Sequence, residues 1–272
     1  MTTQDRITSA DLLAMKRDGE KVSVLTAYDV SFAKIMDDCG IDVVLVGDSL
    51  GNVVQGHDST LPVTMDDMAY HTRLVSRGIK HALLVADLPY HSYESVEAAV
   101  SNAQRLMAAG AQMVKLEGGV KLLPMLEALQ QEGIPVCGHL GLLPQSVEEL
   151  GGYKVQGRDA ASADVILKDA MALEAAGVSM IVLECIPSAL AKKISHVIKI
   201  PTIGIGAGVD CDGQVLVVYD MLGITRGKRP RFVRDFLAEV GGQVEDKVSA
   251  AIKNYISAVK QGRFPDDAQS YQ

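Results

Sequence analysis

Four acidic residues stand directly behind short apolar runs of the sequence. Asp48 follows "VVLVG", Asp87 follows "ALLVA", Glu117 follows "MVKL" and Glu184 follows "MIVL". If each run is a strand of a parallel barrel, the side chains at the strand ends meet at one mouth, where barrel enzymes place their chemistry. One such residue alone is at least as typical of a helix N-cap or an Asx-turn. Acidic residues on several neighbouring strands favour a functional site.

The first three acidic residues lie on runs that we interpret as consecutive strands, so their carboxylates would approach one point. Like charges that close repel one another unless a cation lies between them. Oxygen-only ligands indicate a hard divalent ion, and two direct carboxylates with water and substrate on the remaining positions suit Mg²⁺. The spacing therefore predicts a Mg²⁺ site formed by Asp48, Asp87 and Glu117.

Three further polar residues at predicted strand ends have more than one interpretation. Lys115 pairs with an anionic substrate group, forms a Schiff base with a carbonyl as in barrel aldolases, or makes a structural ion pair. His139 donates a hydrogen bond to a carboxylate, polarises a carbonyl, or has only a structural role. Glu184 lies across the predicted barrel from the metal group, with apolar neighbours and no nearby cation. These surroundings suit a general acid or base better than a salt-bridged rim residue.

The elements that must position these residues are short β-branched runs alternating with stretches of helical period. We predict strands over 22–29, 43–49, 82–90, 113–119, 135–142, 180–186, 201–208 and 215–223. Thr64 is a predicted helix N-cap, and the connection "VDCDGQ" after the seventh strand is too short for a helix. Eight such units favour a (β/α)8 TIM barrel over an open doubly wound sheet.

The remaining chain completes this predicted architecture. A capping helix over about 8–18 precedes the first strand. Helical material from about 231 to 260, interrupted by two glycines at 241 and 242, follows the last strand as a C-terminal extension. Since no linker or change in composition divides the chain, we expect residues 1–272 to form a single barrel domain.

Composition limits the classes of partner. The chain has 34 acidic and 26 basic residues and a net charge of −8, which disfavours nonspecific binding to nucleic acid or to an anionic membrane surface. No run approaches the roughly 20 apolar residues that span a bilayer. Four cysteines without zinc-like spacing fit a reducing cytoplasm. We therefore expect a cytoplasmic protein that acts on small molecules.

Several long motifs resemble those of one enzyme family. They are "TAYD", "VGDSLGNVVQGHDSTLPVTMDDMAYHTRLV", "VADLPYHSY", "VKLEGG", "GHLGLLPQS", "GGYKVQGR", "LECIP" and "IGIGAG…CDGQVLVVYDMLG". In this order, from about residue 5 to about residue 262, the chain resembles the ketopantoate hydroxymethyltransferase family. This match is far more specific than any of the spacing arguments.

The resemblance implies a Mg²⁺-dependent cytoplasmic TIM barrel. Such an enzyme moves a one-carbon unit from 5,10-methylenetetrahydrofolate, the co-substrate, to 3-methyl-2-oxobutanoate through a Mg²⁺-stabilised enolate. The product is 2-dehydropantoate, a precursor of pantothenate and coenzyme A. The resemblance also implies a homodecamer, which nothing else in the sequence indicates.

The same resemblance assigns roles to individual residues. Asp48 and Asp87 match metal ligands, and Glu117 matches the third acidic residue at the metal. Glu184 matches the proton acceptor, and His139 matches a position near the substrate. The positions that match ketoacid contacts are Asp48, Ser49, Asp87 and Lys115.

Three other hypotheses fit the residues. The first is a Mg²⁺-dependent lyase or mutase of the phosphoenolpyruvate/pyruvate barrel group, acting on a 2-oxo acid. The second is a barrel that binds a metabolite without catalysis, and the third is an aldolase with a Schiff base on Lys115. Loss of activity on chelation would favour the metal-dependent enzymes, whereas covalent trapping of substrate by borohydride would favour the Schiff base.

Overall fold

Eight parallel strands form a closed barrel in the computed structural model, which describes residues 6–147, 152, 154–227, 229–243 and 245–272. Each strand pairs with the next one along the chain, and the last strand pairs with the first. Strands β1 to β8 span Val22–Thr26, Val43–Val46, Leu83–Asp87, Met113–Glu117, Val136–Gly141, Met180–Glu184, Thr202–Ile205 and Gly213–Leu216. The prediction of a (β/α)8 TIM barrel is confirmed.

Helices surround the barrel and connect most of its strands. Among the described residues, α1 to α10 span Ser9–Asp18, Val30–Asp38, Leu50–Val53, Met65–Ser76, Val96–Ala108, Leu123–Gln131, Ala160–Ala175, Ser188–Val197, Val218–Met221 and Lys247–Lys260. The predicted N-terminal helix is α1, and Thr64 is the N-cap of α4 in a capping box with Asp67. No helix of the described chain is long and apolar enough to cross a membrane.

The strands are buried over almost their whole length because the barrel interior covers one face and the helices cover the other. This explains the nearly continuous apolar runs in the sequence. The parallel register brings the polar strand ends together at one mouth. Glu117 at the end of β4 pairs in register with His139 on β5, and Glu184 at the end of β6 pairs with Ile205 on β7.

Most predicted strands ran too far at their polar ends. In the stretch 22–29, regular strand structure ends at Thr26, and Asp29 is the N-cap of α2, where its carboxylate accepts hydrogen bonds from the backbone N–H groups of Ser31 and Phe32. This acidic residue therefore has the structural role that a strand-end carboxylate commonly has. The connection between β7 and β8 contains no helix, as predicted.

The last predicted strand, over 215–223, was wrong beyond Leu216. The strand β8 begins at Gly213, and the apolar residues after it form the short helix α9. The neighbouring strands decide these limits, because Gly213 pairs with Val22 of β1 and with Ile203 of β7. Tertiary pairing therefore overrides the strand propensity of the apolar run that follows.

The predicted C-terminal extension was correct only for α10. Residues 231–240 form turns instead of a helix. Phe236 is buried and packs edge-on against Tyr255 and Phe264, with ring centroids 5.4 Å apart in both pairs. Its backbone N–H donates to the carbonyl of Met221. These long-range contacts hold the segment in an irregular path, with Phe232 lining the cavity at the mouth.

Candidate active site

Asp48 does not cap the helix that follows it. Strand β2 ends before Gly47, and a Cβ at Gly47 would lie 2.8 Å from Ser49 Oγ, so glycine leaves room for the Ser49 hydroxyl at the turn into α3. Ser49 occupies the N-cap position of α3 without making a capping hydrogen bond. The buried Asp48 instead accepts a hydrogen bond from Gln145 Nε2 at 2.8 Å, while its N–H donates to Asp87 Oδ2 at 3.1 Å. Asp48 and Asp87 therefore adjoin at the barrel mouth.

Lys115 lies between two carboxylates in the barrel interior. Its buried Nζ donates to Asp87 Oδ1 at 2.8 Å and lies 3.8 Å from Glu117 Oε1. Burial alone would lower the pKa of Lys115, but the surrounding carboxylates outweigh it and raise the pKa above its ordinary value. The amine therefore stays protonated, which suits an ion pair with a substrate anion and disfavours a Schiff base.

His139 connects two glutamates. Its Nδ1 lies 3.0 Å from Glu117 Oε1, and its Nε2 lies 3.1 Å from Glu184 Oε2 at an angle that does not make a hydrogen bond. Burial and Lys115 lower the pKa of His139, but the two carboxylates outweigh them and raise it to about 9. An imidazolium therefore lies beside Glu184, so the expectation that no cation is near Glu184 was wrong.

Glu117 is held on both carboxylate oxygens. Oε1 faces His139 and Lys115, and Oε2 accepts the backbone N–H of Gln145 at 3.0 Å. Burial raises the pKa of Glu117, but these neighbours outweigh it, and the pKa of Glu117 is lowered. The Glu117 carboxylate is therefore ionised, and contacts with His139, Lys115 and Gln145 hold it in place.

Gln145 is a site residue that the sequence did not reveal. It lies in the short 3-10 turn Pro144–Ser146 after β5, and its side-chain nitrogen also donates to the carbonyl of Leu88 at 2.9 Å. Its side-chain oxygen accepts from the hydroxyl of Tyr93. The uncharged side chain of Gln145 thus makes hydrogen bonds to residues that follow β2 and β3. The motif "GHLGLLPQS" contains this residue, but no spacing rule gave a neutral side chain such a role.

Ser49 and Tyr28 form a second polar pair at the mouth. Their hydroxyl oxygens lie 2.9 Å apart, within hydrogen-bond distance. Burial raises the pKa of Tyr28, which keeps the phenol neutral. The contact with Tyr28 therefore holds the Ser49 hydroxyl oxygen in place at the mouth.

All seven residues that the sequence predicted line one cavity of about 140 Å³. This is small beside the roughly 300–1,000 Å³ of typical ligand sites. The remaining wall is mostly apolar and is formed by Leu45, Pro144, Val182, Ile205, Val215, Val217 and Phe232, with Thr26 and Asp220 as its polar members. The cavity therefore suits a small molecule with one anionic end and one apolar end.

Comparison with known proteins identifies the family. A family model described as ketopantoate hydroxymethyltransferase matches residues 6–267. The chain belongs to this family. Most of the motifs that carried the resemblance lie within the described structure, although "GGYKVQGR" contains Gly151 and Tyr153, which lie outside the described residues.

Individual members of the ketopantoate hydroxymethyltransferase family match almost the whole chain. The 3-methyl-2-oxobutanoate hydroxymethyltransferase of Shewanella loihica is 57% identical over 260 residues, covering 96% of this chain and 97% of the relative. The protein of the same name from Ruthia magnifica subsp. Calyptogena magnifica is 56% identical over 256 residues, covering 94% and 96%.

Solved structures with much lower identity share the barrel fold. A phosphonopyruvate hydrolase in complex with oxalate and Mg²⁺ superposes with a TM-score of 0.59 at 13% identity, covering 78% of this chain and 81% of that one. A 2,3-dimethylmalate lyase of the PEP mutase/isocitrate lyase superfamily gives a TM-score of 0.58 at 16% identity, covering 82% and 83%. These similarities concern the fold alone.

The charge balance of the cavity indicates a place for a cation. Five acidic and two basic side chains line it, namely Asp48, Asp87, Glu117, Glu184 and Asp220 against Lys115 and His139. Burial, followed by repulsion from Asp87 and Glu117, raises the pKa of Asp48 well above its usual range. Within the described part of the chain, no three His, Cys, Asp or Glu side chains are arranged to hold a metal ion. Asp48 and Asp87 nevertheless form an adjacent oxygen pair, which fits Mg²⁺ with water and substrate on its other positions.

Proposed function

We propose that this protein transfers a hydroxymethyl group from 5,10-methylenetetrahydrofolate to 3-methyl-2-oxobutanoate, giving 2-dehydropantoate for pantothenate and coenzyme A synthesis. One observation carries the proposal: every residue to which the family resemblance assigns a role lines the same small cavity of this chain. The names of relatives at 56% and 57% identity support the same activity.

We propose Mg²⁺ as the metal, with Asp48 and Asp87 as its ligands and Glu117 as the third acidic residue beside it. The excess of negative charge and the raised pKa of Asp48 support this choice. When bound, Mg²⁺ supplies positive charge where the ketoacid develops negative charge on oxygen. Glu117 contributes by holding Lys115 and His139 in place through its carboxylate oxygens.

The ketoacid carboxylate would lie near Lys115 and Ser49. The buried ammonium of Lys115 offsets its negative charge, and the Ser49 hydroxyl, held in place by Tyr28, donates a hydrogen bond to it. The branched alkyl group would then face the apolar wall. Ile205 and Phe232 belong to that wall on the side of Glu184.

Glu184 would take the hydrogen of C3, next to the ketone, as the general base. His139, held by Glu117 on its other side, keeps the Glu184 carboxylate at the cavity through their 3.1 Å contact. Water releases the one-carbon unit from the folate nitrogens at the aldehyde level, and the C3 carbon then attacks it to form the hydroxymethyl group. Because the cavity holds about 140 Å³, the folate rings would lie at its opening.

No observation favours the rival functions over this one. The lyases and mutases share only the barrel fold with this chain, at 16% identity or less in the two structures above. A binding barrel without catalysis would not need a base opposite a charge cluster, and the ion-paired Lys115 is poorly suited to a Schiff base. We further propose a cytoplasmic homo-oligomer, the homodecamer that the resemblance implies, without affinity for nucleic acid.

The test is product formation by the purified protein. With 3-methyl-2-oxobutanoate, 5,10-methylenetetrahydrofolate and Mg²⁺, we expect 2-dehydropantoate by mass spectrometry, loss of turnover in EDTA, and recovery with Mg²⁺. Asp87→Asn should lower turnover at least about 100-fold. The matched control is Asp66→Asn at an exposed position, which should retain turnover. Absence of product with Mg²⁺ present, or turnover that EDTA leaves unchanged, would contradict the proposal.

A further inference from the structure

Asp220 is a cavity residue without a role in the proposed mechanism so far. It lies on α9, directly after β8, and its side chain lines the same cavity as Glu184. The barrel ends β7, β8 and β1 form this side of the mouth. Among the described residues that line the cavity there, Asp220 is the one acidic side chain, and its neighbours on the wall include Val215 and Val217.

Neither a helix cap nor an ion pair accounts for Asp220. The N-cap position of α9 is occupied by Val217. The Arg229 guanidinium, which acts on Asp220, pairs with Asp235 at 3.1 Å, and no ion pair to Asp220 forms among the described residues. Asp220 is therefore a half-buried carboxyl group that faces a cavity without a fixed charged partner.

The surroundings of Asp220 favour its protonated form. Burial raises the pKa of Asp220, and the Thr225 hydroxyl and the Arg229 guanidinium lower it without cancelling the effect of burial. The phenol of Tyr28 also lies near this carboxyl and stays neutral, since burial raises its pKa. Asp220 thus keeps its proton to a higher pH than an exposed aspartate does, which suits a general acid.

The proposed reaction needs such a donor. Water opens the methylene bridge of the folate: its oxygen becomes the oxygen of an aldehyde-level one-carbon unit, and its two hydrogens go to the two folate nitrogens. C3 of the ketoacid forms the new C–C bond, and the C=O electron pair moves onto that oxygen, which then needs one proton. Glu184 already holds the hydrogen removed from C3. Lys115 and His139 are each held between two carboxylates.

We propose that Asp220 is a catalytic acid that gives its proton to the oxygen of the newly formed hydroxymethyl group. This inference rests on the proposed function. After the step Asp220 is a carboxylate and Glu184 is protonated, and one proton exchanged through solvent restores both. The cavity volume of about 140 Å³ favours a small one-carbon unit beside Asp220 over the folate ring system.

Two half-reactions separate the roles of the two carboxyl groups. The first is exchange of the C3 hydrogen of 3-methyl-2-oxobutanoate in D₂O with Mg²⁺ and without folate, followed by ¹H NMR. The second is formation of 2-dehydropantoate with 5,10-methylenetetrahydrofolate. Asp220→Asn should keep the exchange rate within about twofold of wild type and lower kcat at least about 100-fold. Asp220→Glu should recover part of that kcat.

The matched control is Asp210→Asn, a partly exposed position that pairs with Lys192 and does not line the cavity, which should retain both rates. If Asp220→Asn loses exchange in step with turnover, Asp220 supports the ketoacid site and the proposal is overturned. An unchanged kcat, or a higher KM for folate at unchanged kcat, also overturns it. Failure of the wild-type protein in both reactions would instead contradict the proposed function.

Discussion

At the scale of single residues, His139 supplies the positive charge that balances two carboxylates of the site. It is the cation between Glu117 and Glu184, and its pKa of about 9 means that it stays protonated at neutral pH in the metal-free protein. Without it, two buried or half-buried carboxylates would lose a neighbouring positive charge. The histidine thus stabilises the arrangement that keeps Glu184 at the cavity.

We predict that His139→Gln weakens the pH dependence of stability in EDTA. The folded-state pKa of about 9 lies above the ordinary value of 6.5, so the stabilisation is complete below pH 6.5 and is lost as pH rises through 9. Over this range the wild type should lose up to about 3 kcal/mol more unfolding free energy than the variant, measured by urea unfolding. The exposed control His196→Gln should behave as wild type. Equal pH dependence in wild type and His139→Gln would contradict this role.

The acidic residues could be predicted because the register of a parallel barrel follows from the strand pattern. The positions of Asp48, Asp87 and Glu184 directly after apolar runs were enough to predict that their side chains lie at the barrel mouth. The role of Gln145 could not be predicted, since its side chain meets Asp48 across 97 residues of sequence. Asp220 was hidden for another reason: its strand was predicted to continue through a segment that is helical.

At the scale of elements, β8 shows why local pattern did not set the strand limits. Gly213 begins the strand because it lies tightly between neighbouring strands. A Cβ there would clash with the backbone oxygen of Val22 and would lie 2.8 Å from Ile203 Cδ1. The sequence marks Gly213 only as part of a turn-like "DCDGQ", whereas in the barrel it is a strand residue with no space for a side chain.

We predict that Gly213→Ala destabilises the protein by about 1–3 kcal/mol because the added methyl group has no space. Gly241→Ala is the matched control, since nothing lies within 4 Å of a Cβ at that exposed position. Its unfolding free energy should stay within about 0.5 kcal/mol of wild type. Denaturant unfolding of both variants makes the comparison, and equal stability would argue against the tight packing of β8.

The ends of β6, β7 and β8 give the cavity its apolar side. Ile205 ends β7 beside Glu184 in register, and Val182, Val215 and Phe232 complete the wall. Because the base must reach C3 of the ketoacid, the methyl groups on C3 would contact this wall. In the proposed mechanism, the strand ends that position Glu184 would therefore also determine which alkyl groups fit the cavity.

Ile205→Ala should accordingly widen the range of substrates. The extra space should raise kcat/KM for 3-methyl-2-oxopentanoate relative to 3-methyl-2-oxobutanoate by about tenfold or more. Steady-state kinetics with both ketoacids test this, with Val197→Ala on the exposed face of α8 as control. If Ile205→Ala leaves the ratio of the two kcat/KM values unchanged, the alkyl group does not contact Ile205.

At the scale of the whole molecule, the fold concentrates opposite charges in an acidic protein. The net charge of −8 would disfavour an anionic substrate, but the barrel gathers Lys115 and His139 in its interior, beside the two carboxylates that we propose as ligands of a divalent ion. The alternation of strands and helices was enough to predict the barrel. The paths of α9 and of residues 231–240 were not predictable, because they depend on contacts such as Phe236 with Tyr255.

The most direct measurement of the central claim is exchange of the C3 hydrogen of 3-methyl-2-oxobutanoate in D₂O, followed by ¹H NMR without folate. The wild-type protein with Mg²⁺ should exchange this hydrogen, and EDTA should stop the exchange. Glu184→Gln should still bind the ketoacid but exchange at least about 100-fold more slowly. Exchange that persists in EDTA, or that Glu184→Gln leaves at the wild-type rate, would contradict the proposed metal-dependent proton removal by Glu184.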